Sequence, residues 1–146
     1  MYETTRKSLI RFVTDQIAAI QTAGISPSLS YVDFDAHGDL TTLPPNDVVG
    51  LHAFTIHDED QLQHTIFGIT VSTYNDPNLL IQNKVINWFY NKLRVRNHIP
   101  LLDPSSGSAI GEIIMGVGAS TMPVERSDTR AATFIQANGT VTLFHP

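Results

Sequence analysis

Leu62-Gln63-His64-Thr65-Ile66-Phe67-Gly68-Ile69-Thr70-Val71-Ser72-Thr73-Tyr74 is the stretch on which the fold turns. Thr65, Ile66, Ile69, Thr70, Val71 and Thr73 are β-branched and fit a pleated, half-buried surface. The run follows Asp58-Glu59-Asp60-Gln61, whose three acids break the pattern, and Val48 to His57 before them reads as a strand of its own. Two such runs on either side of a polar break predict a long antiparallel hairpin.

Downstream, Asn75-Asp76-Pro77-Asn78 places an N-cap candidate, Asp76, before a proline in the first helical turn, where a missing N–H costs nothing. A second helix is expected there. Leu79, Leu80, Val85, Ile86, Trp88, Phe89 and Leu93 give it a wide apolar face, and both Trp88 and Phe89 should pack it onto the sheet. Lys84, Lys92, Arg94 and Arg96 lie toward its C-terminal end, where the helix dipole favours cations.

Upstream, Leu9, Phe12, Val13, Ile17 and Ile20 recur at helical spacing from Thr5 to Ala23. Gly24 then supplies a left-handed cap, and Ser26-Pro27 cannot continue the helix. Tyr31 to Ala36 alternates apolar and acidic residues at the period of a strand, with His37-Gly38-Asp39 as its turn. Thr41 to Asp47 is a connector in which Pro44-Pro45 is extended.

Beyond Pro100, Leu101 to Ser108 reads as loop and Ala109 to Gly118 as a strand. Its glycines at 111, 116 and 118 imply a bulge, a bend or the close approach of another backbone. Ala119 to Asp128 reads as a polar arm. Asn138-Gly139, between Thr129–Ala137 and Thr140–Phe144, is a strong type I′ turn signal. It predicts a terminal hairpin in which Phe134, Val141 and Leu143 share one face. The whole is expected to be a single α+β domain over residues 1–146: one antiparallel β-sheet with two amphipathic helices packed on it and a terminal β-hairpin.

The composition agrees with that size of domain. The chain has 146 residues, 42% hydrophobic and 16% charged, with a net charge of −5 and no cysteine. Thiolate metal sites, cysteine nucleophiles and disulfide scaffolds are excluded. No basic stripe suits a phosphate backbone, no apolar run approaches the roughly 20 residues of a membrane span, and no signal core follows Met1 to Lys7. A soluble, non-secreted protein is expected.

Asp33, Asp35, His37 and Asp39 stand at alternate positions, and on one side of a strand they could hold a divalent ion. Alternation of that kind is also what any strand with one wet face produces, so no metal is expected. His52, His57 and His64 lie on the hairpin, but His52 and His57 are five apart and face opposite ways unless a bulge intervenes. The serines include no nucleophile elbow, since Gly107-Ser108-Ala109-Ile110-Gly111 fails its spacing. No phosphate-binding glycine motif is present. These observations imply no enzyme and no cofactor.

The order of elements resembles that of the tail terminator proteins of tailed bacteriophages. The likeness lies in an opening amphipathic helix, a β-hairpin, a strand ending Thr70-Val71-Ser72-Thr73-Tyr74-Asn75, a helix entered through Asp76-Pro77-Asn78-Leu79-Leu80, and C-terminal strands. It implies a structural virion protein, assembled in the host bacterial cytoplasm and residing in the tail or neck. Such a protein forms a homo-oligomeric ring, a hexamer, that caps the tail tube and joins it to head-tail connector or adaptor proteins. DNA would pass through the lumen without specific binding, which suits an acidic chain. The family has no catalytic residues to transfer. The arm supplies the candidate subunit interface: Thr121, Met122, Pro123, Val124, Glu125 and Arg126, which mix apolar and charged groups. Other neck, tail-tube or baseplate subunits share this logic. A small metal-dependent hydrolase using Asp33, Asp35, His37 and Asp39, and a non-viral ligand-binding domain, are the alternatives of other classes.

Overall fold

A computed structural model describes residues 1–36, 42–59 and 62–144, the side chains of Ala36 and Glu125 excepted. Helix α1 (Tyr2–Thr22) opens the chain and β1 (Ser30–Tyr31) follows. The expected hairpin forms as β2 (Val48–Glu59) and β3 (Leu62–Tyr74), then come α2 (Leu80–Lys92), β4 (His98–Leu102), β5 (Ala109–Met115), β6 (Ser120–Arg126) and β7 (Arg130–Leu143). The strands make one curled sheet in the order β1-β2-β3-β7-β5-β4, with β6 also paired to β7. The class is α+β. The sheet, however, is mixed, because β1 runs parallel to β2 while the other pairs are antiparallel.

Both helices pack on one face of the sheet. Leu9, Val13, Ile17 and Ile20 of α1 and Val85 and Phe89 of α2 are buried with Leu51, Phe67, Ile69, Val71, Ile113 and Ile135 in a single cluster. Each fully buried side chain of this size contributes about 1.5–3 kcal/mol relative to exposure. Phe12 meets Phe89 edge to face with ring centroids 6.4 Å apart. Trp88 is only half-buried, and its indole N–H donates to the Gln16 side-chain oxygen at 2.9 Å. It therefore serves the seam between the helices, while Phe89 seals the core. Leu80, expected on the apolar face, is exposed.

The helix ends follow local chemistry. Gly24 adopts φ +75°, and the N–H groups of Gly24 and Ile25 donate to the carbonyls of Gln21 and Ile20, closing α1. Asp76 caps α2 across an intervening 3₁₀ turn, Pro77–Leu79: its carboxylate accepts from the N–H of Ile81 at 3.0 Å and of Gln82 at 2.8 Å.

Two further expectations fail, the first for a tertiary reason and the second for a local one. There is no terminal hairpin at Asn138-Gly139: β7 runs straight through it, with Asn138 opposite Ile66, Gly139 opposite Thr65 and Thr140 opposite His64. Phe134 consequently lies on the opposite face from Val141 and Leu143. Gly139 serves closeness, since a Cβ there would stand 2.7 Å from Ile113 Cγ2 and 2.8 Å from Met115 Cε. Gly111 is likewise pressed by the carbonyl of Thr142, the close approach the glycines implied, but from within the chain.

The second failure is the strand expected over Tyr31 to Ala36. It stops after Tyr31, because Asp33 Oδ1 accepts the N–H of Asp35 at 3.0 Å and Phe34–Ala36 winds into a 3₁₀ turn. Phe34 then packs with Leu43 and Val48 in a small cluster separate from the main core.

Candidate assembly interface

The segment read as a polar arm is strand β6. The chain turns at Ser127–Thr129, where the Ser127 N–H donates to the Arg130 carbonyl at 2.7 Å and the Arg130 N–H donates to Ser127 Oγ at 3.1 Å. Strand β6 pairs with the first half of β7, placing Thr121 opposite Ile135, Met122 opposite Phe134 and Arg126 opposite Ala131. A register shift between Pro123 and Glu125 leaves Val124 as an extra residue. A proline and a bulge are the features that keep an edge strand from pairing indiscriminately.

The candidate residues Thr121 to Arg126 thus come together on one strand. β6 pairs with β7 alone, so its outer edge is free among the described residues. Thr121, Met122, Pro123, Val124 and Arg126 are all exposed, Met122 at 58% and Val124 at 50%. No carboxylate lies within 4.0 Å of Arg126 among the described residues. Both faces and one edge of the strand are uncovered.

What holds β6 in place lies at its base. The buried guanidinium of Arg130 donates to Ser72 Oγ at 3.0 Å, to the Asn46 carbonyl at 3.2 Å and to the Pro44 carbonyl, and it rests over the Tyr74 ring. Burial pulls its pKa down, while the field of Asp47 opposes that shift. Asp47 is itself buried, accepting from Ser26 Oγ at 2.7 Å and the Tyr74 N–H at 3.0 Å. Arg130 and Asp47 therefore tie the 44–47 connector to the turn where β6 meets β7, a network that no sequence motif announces because its members are far apart in the chain.

Asp33 and Asp35, the described half of the acidic quartet, do not lie on a strand. His37 and Asp39 lie outside the described residues. Asp33 sits 3.8 Å from the Arg6 guanidinium, and Asp35 sits 3.8 Å from His52 Nε2. Among the described residues no three His, Asp or Glu side chains are grouped to hold a metal ion. On the hairpin a bulge does intervene: Ala53, at φ 54°, is the extra residue between the pairs His52–Gly68 and Thr55–Ile66. It brings His52, His57 and His64 onto one face, where His57 and His64 stack at 5.5 Å and His52 packs between Phe34 and Phe134.

No sequence motif marks a second surface. Tyr90, Arg94 and Val95 at the end of α2 face Val117, Gly118 and Ala119 of the β5–β6 link across a groove of about 340 Å³. Its charge signal is plain in the sequence, which has no Asp or Glu from Pro77 to Leu102. Among the described residues no helix is long and apolar enough to cross a membrane. No protein-family model matches the chain, and no curated protein matches it.

Proposed function

We propose that this chain is a structural subunit of a closed homo-oligomeric ring, non-catalytic and without a cofactor, and in its finer form a phage tail terminator. In that role a hexamer caps the tail tube and contacts the head-tail connector, in the neck of the virion. The observation that supports this reading is β6, a strand with a free outer edge, two uncovered faces and exposed Met122 and Val124. A neighbouring copy would cover those apolar groups and satisfy the unpaired edge. A ring needs one heterologous contact repeated around an axis, and a strand edge that meets a different surface of the next copy supplies it. The net charge of −5 is compatible with DNA sliding through a lumen.

Negative-stain imaging of the purified protein over rising concentration, alone and with a tail tube, tests the proposal. Rings with a central pore are expected. The double variant Met122→Lys with Val124→Lys should remove them while leaving the unfolding midpoint in place. Particles that stay monomeric under every condition, or rings indifferent to that variant, would overturn the ring or the role of β6 respectively.

A further inference from the structure

The cations are unevenly placed. Four of the nine, Lys84, Lys92, Arg94 and Arg96, fall within the acid-free run from Pro77 to Leu102, although acids outnumber cations fourteen to nine overall. All four are exposed, and none has a carboxylate within 4.0 Å among the described residues. The groove beside Arg94 is apolar as well as basic: Val117 is 80% exposed, and Tyr90 and Val95 line the same hollow. An apolar hollow lined by the unpaired guanidinium of Arg94, with exposed Arg96 two residues further on, fits an apolar side chain flanked by carboxylates.

The same molecule carries that complement at the end of the β2–β3 hairpin. Asp58 and Glu59 are exposed there, and Leu62, 48% exposed, is the cross-strand partner of Glu59 and shares its face. Leu62 cannot swing into its own groove. Gln63 is locked opposite Val141, and Val141 in turn lies opposite Ile113, so the hairpin end is held in the sheet.

We infer that the groove between the end of α2 and the β5–β6 link receives Leu62, with Asp58 and Glu59, from the β2–β3 hairpin of a second copy. Leu62 enters the hollow against Tyr90, Val95 and Val117, and Asp58 and Glu59 meet Arg94 and Arg96. Knob and hollow are different surfaces of one chain, so the contact is heterologous and propagates head to tail. The inference rests on the ring proposed above and names a contact distinct from β6.

The absence of cysteine permits a direct test. The double variant Leu62→Cys with Val117→Cys, oxidised at a concentration where the wild type associates by sedimentation, should yield a ladder of covalent oligomers. Each single variant should stop at the dimer or below. Asp58→Lys with Glu59→Lys, and Arg94→Glu with Arg96→Glu, introduced into that cysteine background, should each slow the ladder at least tenfold at low salt. Mixing the two reversed chains should restore it, because each then offers what the other lacks. Wild-type association with no ladder, or a ladder unmoved by the charge reversals, overturns this contact and leaves the ring standing. A wild type that never associates, with or without a tail tube, removes both. Binding of a different acidic protein that is lost on arginine reversal but indifferent to Asp58→Lys with Glu59→Lys, without a ladder, assigns the groove to that partner instead.

Discussion

Strands β5 and β6 lie end to end along the same edge of β7, run in the same direction and are seven residues each, yet their surroundings differ completely. β5 is paired on both sides, by β7 and by β4, and its Gly111, Ile113 and Met115 are buried. The exposed side of β4 is in turn tied down, since Ser8 of α1 accepts the Leu102 N–H at 2.9 Å. β6 has β7 alone. Between them the chain bends at Gly118, φ +97°, and beyond that bend neither a further strand nor a helix among the described residues covers β6. Pairing to a common strand thus creates a strand but not a core. The core comes from the layer behind it, and a strand without that layer is left available to something outside the chain.

The contrast is most directly broken by truncating equivalent apolar positions. Ile113→Ala should cost about 2–5 kcal/mol, as for other fully buried aliphatic groups, whereas Met122→Ala should change stability by less than about 0.5 kcal/mol. Urea unfolding of the two variants measures both. Equal losses would mean that β6 is covered in the monomer after all.

The next test concerns how β6 is anchored. Arg130→Met leaves the Ser72 hydroxyl and the carbonyls of Pro44 and Asn46 without their donor. A loss of about 3 kcal/mol is expected from such unsatisfied buried groups. Arg130→Lys should recover only part of it, because an ammonium cannot reproduce the planar fork. Full recovery by lysine would show that charge alone, rather than the guanidinium geometry, ties the connector to the β6–β7 turn.

The smallest effect belongs to the turn that leads into β5. Asp103 accepts hydrogen bonds from the N–H and hydroxyl of Ser105, and these hold its carboxyl below the ordinary aspartate range. A depressed carboxylate stabilises the folded chain above its unfolded-state pKa, and that contribution is lost as pH falls through the folded value. Side-chain NMR titration should therefore place Asp103 below the ordinary aspartate range, and Ser105→Ala should raise it. The same titration should leave β6 unchanged.

Much of the architecture is legible from local pattern. The periodicity of Leu9, Val13, Ile17 and Ile20 and the glycine at 24 specify α1, and the β-branched run from Thr65 to Thr73 specifies β3. These readings survive because their signals depend on a few neighbouring residues and on a face that must be buried. The interface candidates were legible as a stretch, Thr121 to Arg126, but not as a strand. Their composition, with Pro123 and three charged neighbours, lacks strand propensity, and pairing to β7 overrides it.

Asn138-Gly139 shows the opposite error. Its turn preference is real in isolation, yet β3 extends from Leu62 to Tyr74, and a turn there would strand the ladder bonds of Gln63 to Ile66. The β-sheet keeps β7 straight and uses the missing side chain of Gly139 to admit Ile113 and Met115. Sequence alone therefore determined the helices, the long hairpin, the acidic balance and the absence of thiol chemistry, because each follows from nearby residues or from composition. Only the tertiary structure decided that β1 runs parallel to β2, that Arg130 joins a connector 84 residues away, and that β6 stands uncovered. Those outcomes depend on which distant segments meet, and the free energy of such meetings is written in no single stretch of the chain.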